Sequence, residues 1–138
     1  MIAARAYIAG ASGGCQAEIG TASAMAAGAL VALHGGSGKA IVHAAAMAIK
    51  NLLGLVCDPV AGLVEVPCVK RNVVGAMNAL ASADMALAGI ESRIPPDQVI
   101  DAMKEVGDQM NASLKETGIG GLAGTPFGKE VAENFLGK

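Results

Sequence analysis

Fifteen consecutive residues, Ile19 to Leu33 (IGTASAMAAGALVAL), carry no charge and show no alternation of apolar and polar positions. A strand with one wet face is thereby excluded, and the run reads as a helix with small apolar residues on nearly every side, hence buried. The same texture returns over Lys39 to Leu53 and from Pro67 to about Ala88, each run bounded by glycine or proline. The pattern predicts an all-α protein. Its compact bundle is expected to hold Ala/Gly-rich helices at the centre, either of the domain or of a larger assembly, with Gly-rich loops between them.

Five helices are expected. The first follows the Gly-rich GASGGC, runs from about Gln16 to Leu33, and is stopped by Gly35 and Gly36. Ser37 suits the cap of the second, Lys39 to Leu53, and Gly54 its stop. The third begins at Pro67, a residue suited to a first helical position. A fourth starts at PPDQ near Pro96; Val99, Ile100, Met103, Val106 and Met110 lie on one face, while Asp101, Lys104, Glu105 and Asp108 turn to water. The segment TGIGGLAGTP breaks the chain before a short last helix from about Phe127 to Leu136. No linker or internal repeat divides the chain, so 1–138 is expected to be a single domain.

The chain is long enough to bury a core without disulfides. It is 53% hydrophobic and 16% charged, against about 25% charged in an average domain, so it offers little charged surface of its own. A membrane span needs about 20 mostly apolar residues rich in Leu, Ile and Phe. The uncharged run is shorter and rich in Ala, Gly, Ser and Thr, so no span is expected. MIAARAYIAGASGG lacks the apolar core of a secretory signal. A net charge of −2 with scattered Lys and Arg gives nucleic acid no electrostatic foothold. Three cysteines, an odd number, argue against a disulfide framework and for a reducing, cytoplasmic setting.

Each cysteine falls at an expected helix end. Cys15 lies at the start of the first helix, Cys57 just past the second, and Cys68 in the first turn of the third. The first two helices form a hairpin, so Cys15 and Cys57 share one end of the pair. The 11-position spacing from Cys57 to Cys68 need not carry the third thiol away. Helix N-termini lower a thiol pKa, which suits Cys15 and Cys68 as thiolates. Three thiolates match neither a four-ligand structural zinc nor a cluster on four cysteines, and suit a cluster with one iron left open. The alternative is a non-catalytic helical packing domain, because free cysteine is among the most buried residue types and needs no metal. The spacings of 42 and 11 match no short metal-ligand motif, and both readings stand.

GCQAEIGTASAMAAGAL (Gly14 to Leu30), GLVCDPVAGLVEVPCVKRN (Gly54 to Asn72) and GIGGLAGTP (Gly118 to Pro126) resemble the catalytic alpha chain of the iron-sulfur-dependent L-serine dehydratases. The resemblance runs over nearly the whole chain. It implies a [4Fe-4S] cluster on Cys15, Cys57 and Cys68, with L-serine binding the fourth iron. The implied reaction is dehydration and deamination of L-serine to pyruvate and ammonia: the open iron acts as Lewis acid on the hydroxyl and a base removes the α-proton. Pyridoxal phosphate is not expected, and neither Lys39 nor Lys50 stands in a recognisable Schiff-base setting. The resemblance further implies a C-terminal portion of the alpha domain, working with the rest of that domain and a beta domain or beta chain in a homo- or hetero-oligomer. Two departures are visible. ENFLGK holds no cysteine of the kind that reaches the open iron in some members, and CDPVAG has Ala61 where a glycine is expected.

His34, His43 and Glu65 are the candidates for the catalytic base, although His34 also reads as a helix end and His43 as mid-helix packing. Ser12, Gly13 and Gly14 precede a helix start, where backbone N–H groups could take the serine carboxylate or simply form a turn. Lys70 and Arg71 could offset cluster and carboxylate charge or face solvent. Glu18 reads as an acid/base group or a partner of those cations, Asp58 as a turn residue before Pro59, and the seven methionines as core filler.

Overall fold

The computed structural model describes residues 1–137. Among the described residues seven helices follow one another: α1 Ile2–Arg5, α2 Gly10–Gly13, α3 Cys15–Leu33, α4 Gly38–Lys50, α5 Cys68–Leu87, α6 Pro96–Gln109 and α7 Pro126–Leu136. Short 3-10 turns interrupt the loops at Val60–Gly62, Ala112–Leu114 and Gly121–Gly124. Among the described residues, the sole β-type pairing is one isolated parallel bridge between Cys57 and Lys115. The fold is all-α, and the five helices expected from periodicity are α3 to α7. The helices α1 and α2 are four residues each, too short to show a period.

Helix boundaries follow their caps. Ser37 caps α4 by accepting the Ala40 N–H, as its residue type leads one to expect. The α4 helix stops at Lys50 rather than Leu53, and Pro67 is the N-cap of α5 rather than its first helical residue. Proline lacks an N–H, which neither position requires.

The core lies where α3, α4 and α5 pack together, with α6 against α4. Ala24, Ala27, Ala44, Ala48, Ala79 and Ala83 line it, filled out by Val31, Met47, Ile49, Val99, Ile100 and Met103. Small side chains bring the backbones close: a Cβ on Gly75 would stand 2.6 Å from Ile19 Cγ2. The Ser23 hydroxyl accordingly donates straight to the Gly75 carbonyl on α5 at 2.7 Å. Asn78 joins three helices, its amide donating to Ser23 Oγ and to the Ala48 carbonyl, both at 2.9 Å. The amphipathic α6 buries Val99, Ile100, Met103 and Gly107.

The α5 helix is not enclosed by this chain, because Val69, Val73, Val74, Met77, Leu80 and Leu87 are exposed. Its apolar residues on several sides are therefore divided between this core and an outer face. Among the described residues, no helix is long and apolar enough to cross a membrane.

Candidate metal centre

Cys15 is the first residue of α3, and its place depends on the glycine before it. Gly14 has φ +77°, and a Cβ there would lie 2.7 Å from Met110 Sδ and 2.9 Å from the Leu55 carbonyl. Glycine alone meets both demands without strain. Gln16, fully buried, then pins the helix start. Its N–H donates to the Leu55 carbonyl at 2.8 Å; its side-chain amide donates to the Met103 carbonyl and accepts the Gly54 N–H, both at 3.0 Å. Cys68 begins α5 in the same way. Cys57 lies between, on the connection after α4, where its N–H donates to the Leu114 carbonyl at 2.8 Å and its carbonyl accepts the Glu116 N–H at 2.7 Å.

The three sulfurs lie within 4.8 Å of one another. Cys15 and Cys57 are buried and Cys68 half-buried, with Ile19, Leu52 and Leu55 packed around them. Among the described residues, no fourth His, Cys, Asp or Glu ligand atom joins the set. Three soft sulfur donors fit an iron-sulfur centre or another thiophilic metal better than a hard oxygen-seeking cation.

Burial pushes the Cys57 thiol far above its ordinary range, reinforced by Cys15 and Cys68 and by the Glu116 carboxylate. Cys68 is also raised, again by burial first and by Cys15 next, with Arg71 pulling the other way. The helix start was expected to favour the Cys68 thiolate. Desolvation and a neighbouring thiol outweigh the end of one helix, so without a cation these two sulfurs hold their protons.

Arg71, expected either to balance site charge or to face solvent, is drawn inward. Its Nη1 donates to the Val56 carbonyl at 2.8 Å and to Asp58 Oδ1 at 2.7 Å. Lys70 is exposed. Asp58 is more than a turn residue: its buried carboxylate takes Arg71 on one oxygen and the Leu122 N–H, at 2.8 Å, on the other. A buried aspartate needs partners, and that requirement is a signal an apolar "VCDPV" already carries. Glu18 and Glu116 are exposed, yet both carboxylates approach Gly10, whose Cβ would stand 3.0 Å from Cys57 Sγ, 3.2 Å from Glu18 Oε2 and 3.5 Å from Glu116 Oε2. Glu116 had no sequence signal, since only the bridge to Cys57 brings it there.

Ser12, Gly13 and Gly14 lie beside Cys15, but their N–H groups donate to Ala9, Ala9 and Gly10 within the α2 turn. His34 caps the far end of α3, about 28 Å from Cys15 at 1.5 Å per residue. His43 sits mid-helix in α4, where Nδ1 accepts the Ser92 N–H and Nε2 faces Glu91 at 4.0 Å. Glu65 is exposed and lines a groove with Val60, Val66, Val131 and Phe135. The fold thus brings neither histidine nor Glu65 to the sulfurs. Lys39 pairs with Glu91, and Lys50 donates to the Ser92 carbonyl.

Fold and site together define a class: an all-α protein in which two helix starts and the connection after α4 gather three thiols into one donor set that could hold a metal. Residues 1–123 match the model of the family described as "Serine dehydratase alpha chain", and the chain belongs to that family. It is 60% identical over 137 residues to the "Probable L-serine dehydratase, alpha chain" of Bacillus subtilis, covering 99% of this chain and 46% of that protein. It is 60% identical over 138 residues to the protein of the same description from Latilactobacillus sakei, all of this chain and 66% of the other. The "L-serine dehydratase, alpha chain" of Peptoniphilus asaccharolyticus is 57% identical over 131 residues, 95% of this chain and 45% of that one. The chain thus spans roughly half to two thirds of the length of these relatives.

Proposed function

We propose that this chain is the C-terminal part of the catalytic alpha domain of an iron-sulfur-dependent L-serine dehydratase, a lyase converting L-serine to pyruvate and ammonia. The observation that carries the reading is the approach of Cys15, Cys57 and Cys68 to within 4.8 Å in a chain of this family. Those three residues would hold a [4Fe-4S] cluster. When bound, the cluster supplies Lewis acidity at its open iron, which makes the β-hydroxyl a better leaving group.

The protein's own groups do the rest. The Arg71 guanidinium, fixed through Nη1, supplies positive charge beside the thiols for the substrate carboxylate, with Lys70 next to it; the amides at Ser12, Gly13 and Gly14, already bonded within the α2 turn, shape the approach to Cys15 rather than donate to the substrate. The α-proton passes to Glu18 or Glu116, or to a base in the portion of the relatives this chain does not span. Loss of that proton and of water leaves an enamine, which tautomerises to an imine. Water hydrolyses the imine to pyruvate and ammonia, and no pyridoxal phosphate takes part.

The exposed apolar face of α5, Val69, Val73, Val74, Met77 and Leu80, supports a covering partner. The rest of the alpha domain and a beta domain or beta chain are the proposed occupants, consistent with relatives described as alpha chains. Free thiols suit a reducing cytoplasm.

Oxygen-free reconstitution with iron and sulfide tests the reading. About four of each per chain are expected, lost in each of Cys15→Ala, Cys57→Ala and Cys68→Ala. A chain that binds no iron, alone and together with the missing alpha portion, would return the cysteines to ordinary packing.

A further inference from the structure

Two of the three thiols ride on the first residues of long helices, α3 and α5. Cys57 does not: its segment has no regular secondary structure, so what aims its sulfur lies outside it. A single nitrogen, Arg71 Nη1, reaches the carbonyl of Val56 at 2.8 Å and Oδ1 of Asp58 at 2.7 Å, the residues on either side of Cys57. Arg71 stands three positions beyond Cys68, on the same side of α5. The Asp58 side chain is 4% exposed, and its second oxygen accepts the Leu122 N–H at 2.8 Å. The loop is shaped to that carboxylate, since Gly121 has φ +59° and a Cβ there would lie 2.3 Å from Asp58 Oδ2.

We propose that Asp58 is a positioning residue for the three-thiol site: with Arg71 it clamps Cys57 against the first turn of α5, and through Leu122 it couples loading of the site to order in the Gly120–Leu122 loop. The clamp rests on the reading of the three thiols as metal ligands. Partners that orient ligands in this way change metal affinity by roughly 10- to 100-fold when removed.

The test is a titration of the reduced chain with Cd²⁺, following thiolate-to-cadmium absorption, in the parent and in Asp58→Asn, Arg71→Met, Arg71→Lys and the remote Lys129→Ala. Asp58→Asn and Arg71→Met should weaken Cd²⁺ by at least tenfold, Arg71→Lys should recover part of the loss, and Lys129→Ala should match the parent. Amide exchange gives the second readout: Cd²⁺ should slow exchange at Leu122 in the parent and leave it unchanged in Asp58→Asn. A purely stabilising ion pair would lower the melting temperature and move neither readout. Folded Asp58→Asn and Arg71→Met chains with parental Cd²⁺ affinity overturn the clamp. Should Asp58→Asn not fold, the Arg71 pair and the Leu122 response of the parent decide. A parent that binds no Cd²⁺ through Cys15, Cys57 and Cys68 overturns the metal site and the clamp with it.

Discussion

Arg71 Nη1 lies 2.7 Å from Asp58 Oδ1, and this one contact joins the two ends of the segment that separates Cys57 from Cys68. The residues follow the two cysteines by one and by three positions. Closing the segment on itself therefore brings the thiols together, and the ion pair belongs to the architecture of the site.

Removing one partner of this pair should cost more than removing both. Asp58→Ala leaves a half-buried guanidinium uncompensated and the Leu122 N–H without its acceptor, which should lower unfolding free energy by about 3 kcal/mol. Replacing Arg71 by Met as well removes the orphaned charge and should restore part of the loss. Urea unfolding of the single and double variants checks this; equal losses in the two would refute it.

Stability without metal should fall at alkaline pH. Burial raises the Cys57 and Cys68 thiols in the folded chain above their unfolded values, so folding favours their protonated form. That contribution is fully present below the unfolded thiol pKa, about 8.5. Above it the unfolded chain binds fewer protons than the folded one, and stability declines with pH. Urea midpoints measured between pH 7 and pH 10 should drop, and should drop less in Cys57→Ala. For the same reason metal uptake should release protons and strengthen as pH rises.

Ala61 sits in the left-handed region, φ +55° and ψ 18°, at the position where the family resemblance leads one to expect glycine. The conformation costs a residue with a Cβ about 1–2 kcal/mol, while glycine adds roughly 0.5–1 kcal/mol of unfolded-state entropy. Ala61→Gly should therefore stabilise the chain by a net amount of about 0.5–1 kcal/mol. A lower melting temperature in the variant would contradict this.

The outer face of α5 should govern association more than folding. Val73 and Met77 are 62% and 60% exposed, so lysine at both should shift the chain's own stability by no more than about 0.5 kcal/mol each. Sedimentation velocity should show self-association of the parent at high concentration and a monomeric double variant. A variant that unfolds instead would place these residues in the chain's own core.

The helices were legible because their cause is local. Small apolar residues at helical spacing, Ser37 as a cap and Pro96 at the start of α6 each act within a turn or two, and α3 to α7 appear where they were expected. The places of Cys15 and Cys68 at the starts of α3 and α5 were equally legible, and the α3–α4 hairpin with a short connection allowed Cys57 to meet them without requiring it. Other features were not. Glu116 comes to Cys57 through one backbone bridge across 59 positions, and nothing within either segment announces it.

By itself, the amino-acid sequence determined the all-α class, the helix boundaries to within a few residues, and which thiols stand at helix ends, because backbone propensity and capping are short-range. Tertiary structure alone decided that Asp58 would be buried against Arg71 and Leu122, that the histidines would lie away from the thiols, and that Cys68 would be raised rather than lowered. Those outcomes depend on desolvation and on contacts between distant segments, which exist only once the chain has closed around them.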